Sequence, residues 1–141
     1  ALDKPLIAAL NGVAGRMDFR AGNAFDELHA LAQAGERYDI VVLDPPAFIK
    51  RRRDQKSGEH AYHRLNREAM SVLADDAILV SASCSMHLEE AALIDIVRMA
   101  AFHAGRRVQV LEIAGQGPDH PIHPVIPETR YLKTVIARVH G

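Results

Sequence analysis

Tyr38-Asp39-Ile40-Val41-Val42-Leu43-Asp44-Pro45-Pro46-Ala47-Phe48-Ile49-Lys50 is the stretch that decides the fold. Tyr38–Leu43 is β-branched and nearly all apolar, the signature of a strand buried on both faces of a parallel sheet. Two consecutive prolines then fix φ and remove backbone donors, so Asp44 is expected at the strand tip on a stiff, extended turn with its carboxylate aimed outward. Phe48 comes next as a platform on which a planar base can stack. Asp-Pro-Pro alone also describes a plain strand-terminating turn; a buried strand, Asp-Pro-Pro and an aromatic together are more specific.

Outward from this stretch the chain alternates helix and strand. Leu2, Leu6, Ile7 and Leu10 predict a helix over 1–12 that stops at Asn11-Gly12, and Met17–Arg20 predicts a short strand. Phe25, Leu28, Leu31 and Ala32 recur at helical spacing up to Gly35, with Asp26 near the positive end of that helix. Further on, Tyr62–Leu73 and Leu88–Ala104 read as helices, and Ala77–Ser83, Val108–Ile113 and Tyr131–Val139 as strands. The alternation implies βαβ crossovers and an open α/β sheet. The last two strands are joined only by a proline-rich loop, a poor crossover helix, so the final strand is expected to run antiparallel. Ligands of such sheets lie beyond the carboxyl ends of the strands, which directs attention to the residues just past Leu43 and Ser83.

Composition sets the class. The chain has 141 residues, 48% hydrophobic and 25% charged, with a formal net charge of −1. Those values exclude a disordered tail, a collagen-like repeat and a disulfide scaffold. The single cysteine, Cys84, has no internal partner and fits a reducing, cytoplasmic setting. No apolar run approaches the ~20 residues of a membrane span. Residues 50–67 gather Lys50, Arg51, Arg52, Arg53, Lys56, Arg64 and Arg67 against only Asp54 and Glu59. Such a block is a footprint for phosphates or, equally, a solvated loop entering a helix.

The second strand tip is Ser81-Ala82-Ser83-Cys84-Ser85. A lone cysteine after a buried strand is often a small core residue. Hydroxyl neighbours and a nearby helix start instead suit a thiolate, since oriented N–H groups stabilise it. A thiolate can add to C6 of a pyrimidine and make C5 electron-rich enough to attack an electrophilic methyl group.

With these two tips, the Asp119-His120-Pro121 turn and Pro127-Glu128-Thr129-Arg130-Tyr131-Leu132-Lys133, the chain resembles the large-subunit ribosomal RNA methyltransferase I family over essentially its whole length. The resemblance implies a Rossmann-like class I methyltransferase sheet, mostly parallel with an antiparallel last strand. It also implies S-adenosylmethionine as cofactor and C5 of a cytosine in 23S rRNA as target. Position by position, it makes Cys84 the nucleophile and Asp44 the acid between cofactor and base. Pro45 joins Asp44 on the cofactor side, and Pro46 and Phe48 shape the base pocket. Asn23 stands where the family places an Asp against the adenine. Lys50, Arg51, Arg52, Arg53, Tyr62 and Arg64 fall where the family approaches RNA, and His120 falls near the pocket.

The family's Gly-rich turn after the first strand and the acidic residue after the second have no match; Gly115-Gln116-Gly117 comes after a late strand, in the wrong context. The chain is therefore expected to be the C-terminal part of a catalytic domain, lacking its first two strands and the N-terminal RNA-binding domain, and inactive by itself. In the usual strand order 3-2-1-4-5-7-6 this leaves exposed edges that favour self-association. Other chemistries consistent with the residues are uracil-C5 methylation, amino-group methylation of adenine or guanine, and a non-catalytic RNA-binding or self-associating fragment.

Overall fold

The computed structural model describes residues 11–141. Its elements, in chain order, are α1 (Ala24–Gln33), β1 (Tyr38–Leu43), α2 (Gln55–Val72), β2 (Leu73–Ser83), α3 (Glu90–His103), β3 (Arg107–Ala114) and β4 (Lys133–His140), with 3-10 turns at Ala14–Arg16, Arg52–Asp54 and Pro127–Thr129. The helix expected over 1–12 falls largely outside the described residues; its predicted stop, Asn11-Gly12, is a turn.

The four strands lie in the order β1-β2-β4-β3. β1 and β2 are parallel, whereas β4 runs antiparallel to both neighbours, as the proline-rich connection requires. Leu79, Val135, Ala137 and Val139 are buried in one core with Leu65, Ala69 and Met70 of α2 and Leu93, Val97 and Ala100 of α3. Each large side chain buried in this way contributes roughly 1.5–3 kcal/mol relative to exposure. Gly35 and Gly105 end α1 and α3 with φ of 77° and 68°, a region an L side chain enters only with strain.

Three expectations need correction. Met17–Arg20 is irregular and exposed, with no strand beside it. An extended segment becomes a strand only when a neighbouring backbone pairs with it, and none of the described strands does so here. β1 is covered on one face only: Leu43 is buried, but Ile40 and Val42 are each 62% exposed. Apolar, β-branched sequence shows that a strand suits burial; whether both faces are covered depends on what packs there. Finally, α2 starts at Gln55 rather than Tyr62, and β2 starts at Leu73 rather than Ala77. α2 thus runs into β2 with no loop, and Asp76, at φ 61°, takes up the irregularity.

This abrupt junction leaves carbonyls without helical or ladder donors. The Arg106 guanidinium supplies them: its nitrogens donate to the carbonyls of Met70 (3.2 Å), Leu73 (3.1 Å), Ala74 (2.7 Å) and His140 (3.0 Å).

Candidate active site

Pairing of Leu43 with Ser81 brings the two strand tips to the same end of the sheet, so Asp44-Pro45-Pro46 and Ser83-Cys84-Ser85 emerge side by side. Asp44 is exposed, as the stiff turn predicts. Cys84 is partly buried.

The residues flanking Cys84 are tied down. Ser83 Oγ donates to the Tyr62 hydroxyl at 2.8 Å, and that hydroxyl lies 2.9 Å from Ser85 Oγ. Ser85 N–H donates to Ser83 Oγ at 3.1 Å, and Ile49 N–H donates to Ser85 Oγ at 3.3 Å. The last bond links the two tips directly. From β4, the Lys133 ammonium donates to the Ser85 carbonyl at 2.6 Å. Burial pushes the Lys133 ammonium below its ordinary pKa, while the neighbouring Cys84 and Glu90 act in the opposite direction.

α2 reaches this loop because Gly58 has no side chain. A Cβ there would collide with the Ile49 side chain and stand 3.1 Å from the Phe48 carbonyl oxygen.

A cavity of about 400 Å³ opens under the β1 tip, walled by Phe25, Val42, Pro45, Pro46, Phe48 and Leu65, with Asn23 and Asp44 as its polar members. Asn23 caps α1, its side-chain oxygen accepting from Phe25 N–H at 3.0 Å. The Arg64 guanidinium lies 4.6 Å over the Phe25 ring, near the same cavity. A second cavity, of about 420 Å³, lies beyond the β2 tip between Met86, Glu89, Glu90, Arg130, Leu132 and Lys133.

The structure thus brings together Asn23, Asp44, Pro45, Pro46 and Phe48, with Arg64 nearby and Cys84 on the adjoining tip. Lys50 and Arg51–Arg53 are exposed on the loop and 3-10 turn leading into α2. Three placements, those of Tyr62, Phe48 and His120, differ from expectation. Tyr62, expected on the RNA-facing side, is 1% exposed and is the hydroxyl that organises the serines. Phe48 is not a free platform: its ring centroid is 4.8 Å from that of Tyr62 and 6.5 Å from that of Phe25. Helical spacing identifies Tyr62 as a member of α2 without revealing which face is buried. His120 lies in the loop between β3 and β4, lining a separate depression with Gln116, Pro121 and Tyr131. Sequence reading gave no role to Gly58 or Lys133 and took Ser85 only as a hydroxyl neighbour of Cys84. Only the Ser83↔Lys133 pairing across the sheet places the lysine here.

Among the described residues, no group of three or more His, Cys, Asp or Glu side chains is arranged to hold a metal, and no helix is long and apolar enough to cross a membrane.

No protein-family model matches the chain. Among curated proteins, "Ribosomal RNA large subunit methyltransferase I" of Aeromonas salmonicida is 36% identical over 132 residues, covering 93% of this chain and 33% of the relative. The protein of the same name from Tolumonas auensis is 35% identical over 120 residues, covering 85% and 30%. That of Salmonella arizonae is 32% identical over 124 residues, covering 88% and 31%. The chain therefore spans about a third of the length of the curated relatives it matches. Among solved structures, SMU.776 complexed with SAH superposes with a TM-score of 0.72 at 16% identity, over 98% of this chain and 37% of that one. A methyltransferase homologue protein from Pyrococcus horikoshii gives 0.60 at 19% identity, over 94% and 49%. The strand order, the two tips and these likenesses converge: over the third of their length that it matches, the chain is similar to the large-subunit ribosomal RNA methyltransferase I proteins, and it has the class I methyltransferase fold.

Proposed function

We propose that the protein carrying this chain methylates C5 of a cytosine in 23S rRNA, acting in the cytoplasm with S-adenosylmethionine as donor and Cys84 as nucleophile. The observation that carries this reading is the side-by-side emergence of Asp44 and Cys84, with the cysteine gripped between two hydrogen-bonded serines. S-adenosylmethionine, when bound, supplies an electrophilic methyl group. The first cavity fits its adenine: apolar and aromatic walls suit the ring faces, while Asn23 offers an amide to the ring edge. The volume of about 400 Å³ lies within the usual range of small-molecule sites.

The chemistry rests on the thiol. Cys84 Sγ forms a bond to C6 of an extruded pyrimidine, and electron density moves to C5. C5 bonds to the methyl carbon as that carbon's bond to the donor's sulfonium sulfur breaks and the sulfur keeps the electron pair; a base then removes the C5 proton, and the returning electron pair expels Sγ from C6. We assign the removal of that proton to Asp44 or to a water beside it. The exposed cations Lys50 and Arg51–Arg53, with Arg64, supply a phosphate-binding flank along the RNA. The open edge of β1 is where a second copy would associate.

The test substitutes this chain for the third of the Aeromonas salmonicida protein that it matches and determines the nucleosides of treated 23S rRNA by mass spectrometry. The expected product is 5-methylcytidine, and Cys84→Ala is expected to lower its formation roughly a thousandfold or more. An undiminished rate in that variant refutes the nucleophile. A product of 5-methyluridine or an N-methylated purine refutes the target.

A further inference from the structure

Two cavities of similar size flank the paired strand tips, and they differ in chemistry. The cavity under β1 is mainly apolar; the one beyond β2 contains Glu89, Glu90, Arg130 and Lys133. Phe48, on the first side, already packs against Tyr62 and Phe25. The second side is furnished differently. Lys133 is paired across the sheet with Ser83, one residue before Cys84, and its ammonium is fixed by the Ser85 carbonyl at 2.6 Å. An ammonium has three N–H groups, so two remain for a ligand. Glu90 is close enough to Lys133 to interact with it electrostatically, as is Cys84. Leu132 and Ile113 add apolar wall to the same cavity.

A held ammonium with a carboxylate and a thiol in its electrostatic reach matches the edge of one base. Cytosine presents a carbonyl oxygen that accepts and an exocyclic amino group that donates, whereas uracil puts a second carbonyl where that amino group stands. A carboxylate accepts from the amino group and repels the carbonyl.

We propose that the cavity between Glu90, Lys133 and Arg130 seats the target base, with Lys133 donating to the pyrimidine O2 and Glu90 accepting from the cytosine amino group, so that Glu90 selects cytosine over uracil. Arg130, exposed at this cavity, faces the nucleotide's phosphate. The assignment rests on the methyltransferase reading above for its biological meaning, but its test does not need turnover.

Cytidine 5′-monophosphate and uridine 5′-monophosphate are titrated into the isotope-labelled 141-residue chain, and amide shifts are followed by NMR. The expected result is that cytidine monophosphate moves Met86, Glu90, Leu132 and Lys133, with an affinity on the order of 10-fold above that of uridine monophosphate. Glu90→Gln is expected to erase that preference while retaining uridine monophosphate binding. Lys133→Met should weaken both nucleotides, and Lys133→Arg should restore most of the loss. The proposal is overturned if the shifts cluster around Asn23 and Phe48, if neither nucleotide perturbs the Glu90 side at millimolar concentration, or if Glu90→Gln leaves the preference intact. Should cytidine monophosphate bind as expected while Cys84→Ala still methylates RNA at full rate, the thiol mechanism fails and the base site stands.

Discussion

The two strand tips are held by different physics. At β1, Asp44 is kept in place by covalent stiffness, two prolines in series, and by the close approach of α2 through Gly58. At β2, nothing in the local chain is stiff: Ser83, Cys84 and Ser85 are small residues with free φ and ψ, and hydrogen bonds from α2, β4 and the first tip hold them. An acid that need only project its carboxylate can sit on a rigid turn. A nucleophile that must bond to carbon and release it is better placed in a network that fixes its backbone and leaves its side chain free.

The most damaging break is expected from Gly58→Ala. The new methyl group meets Ile49 and the Phe48 carbonyl, so α2 must withdraw from the first tip, at a cost of about 2–3 kcal/mol in a urea denaturation series. Tyr62→Phe acts on the second tip and keeps the ring packing while removing a hydroxyl shared by Ser83 and Ser85. Its expected cost is about 1–2 kcal/mol, because two buried serine hydroxyls each lose one of their partners. If Tyr62→Phe proves harmless while Gly58→Ala is severe, steric fit rather than hydrogen bonding governs both tips.

The smallest effect tests the contrast from a place away from either tip. His63 Nε2 and His103 Nδ1 are 2.9 Å apart between α2 and α3. Burial, then the charge of His103, holds the His63 imidazole below its ordinary pKa. The unfolded chain therefore binds a proton near pH 6.5 that the folded chain still resists, so stability falls as pH drops below about 6.5 until the folded pKa is passed. His63→Gln should flatten that part of the pH–stability curve slightly, because solvent screens so accessible a group, without altering the response to Tyr62→Phe.

Both tips were legible in the sequence because their signals are local. Buried-strand composition, Pro45-Pro46 and the run of small residues around Cys84 occupy adjacent positions, and the proline-rich loop made the reversed last strand a matter of chain length. The features that escaped sequence reading depend on distant partners. Tyr62 meets Ser85 across 23 positions and Lys133 meets it across 48, and no periodicity encodes either meeting. The exposure of Ile40 and Val42 escaped for the same reason, since a side chain's burial belongs as much to its neighbours as to itself.

The direct passage from α2 into β2 has a consequence for how the chain can be cut. A junction without connecting residues borrows its donors from Arg106, which lies just past α3 and also reaches the end of β4. Severing the chain between Gly105 and Val108, whether by a protease or by circular permutation, would thus loosen a joint more than thirty positions upstream together with the last strand. That turn is therefore poorly suited to carry new termini, although its exposed glycine makes it look permissive.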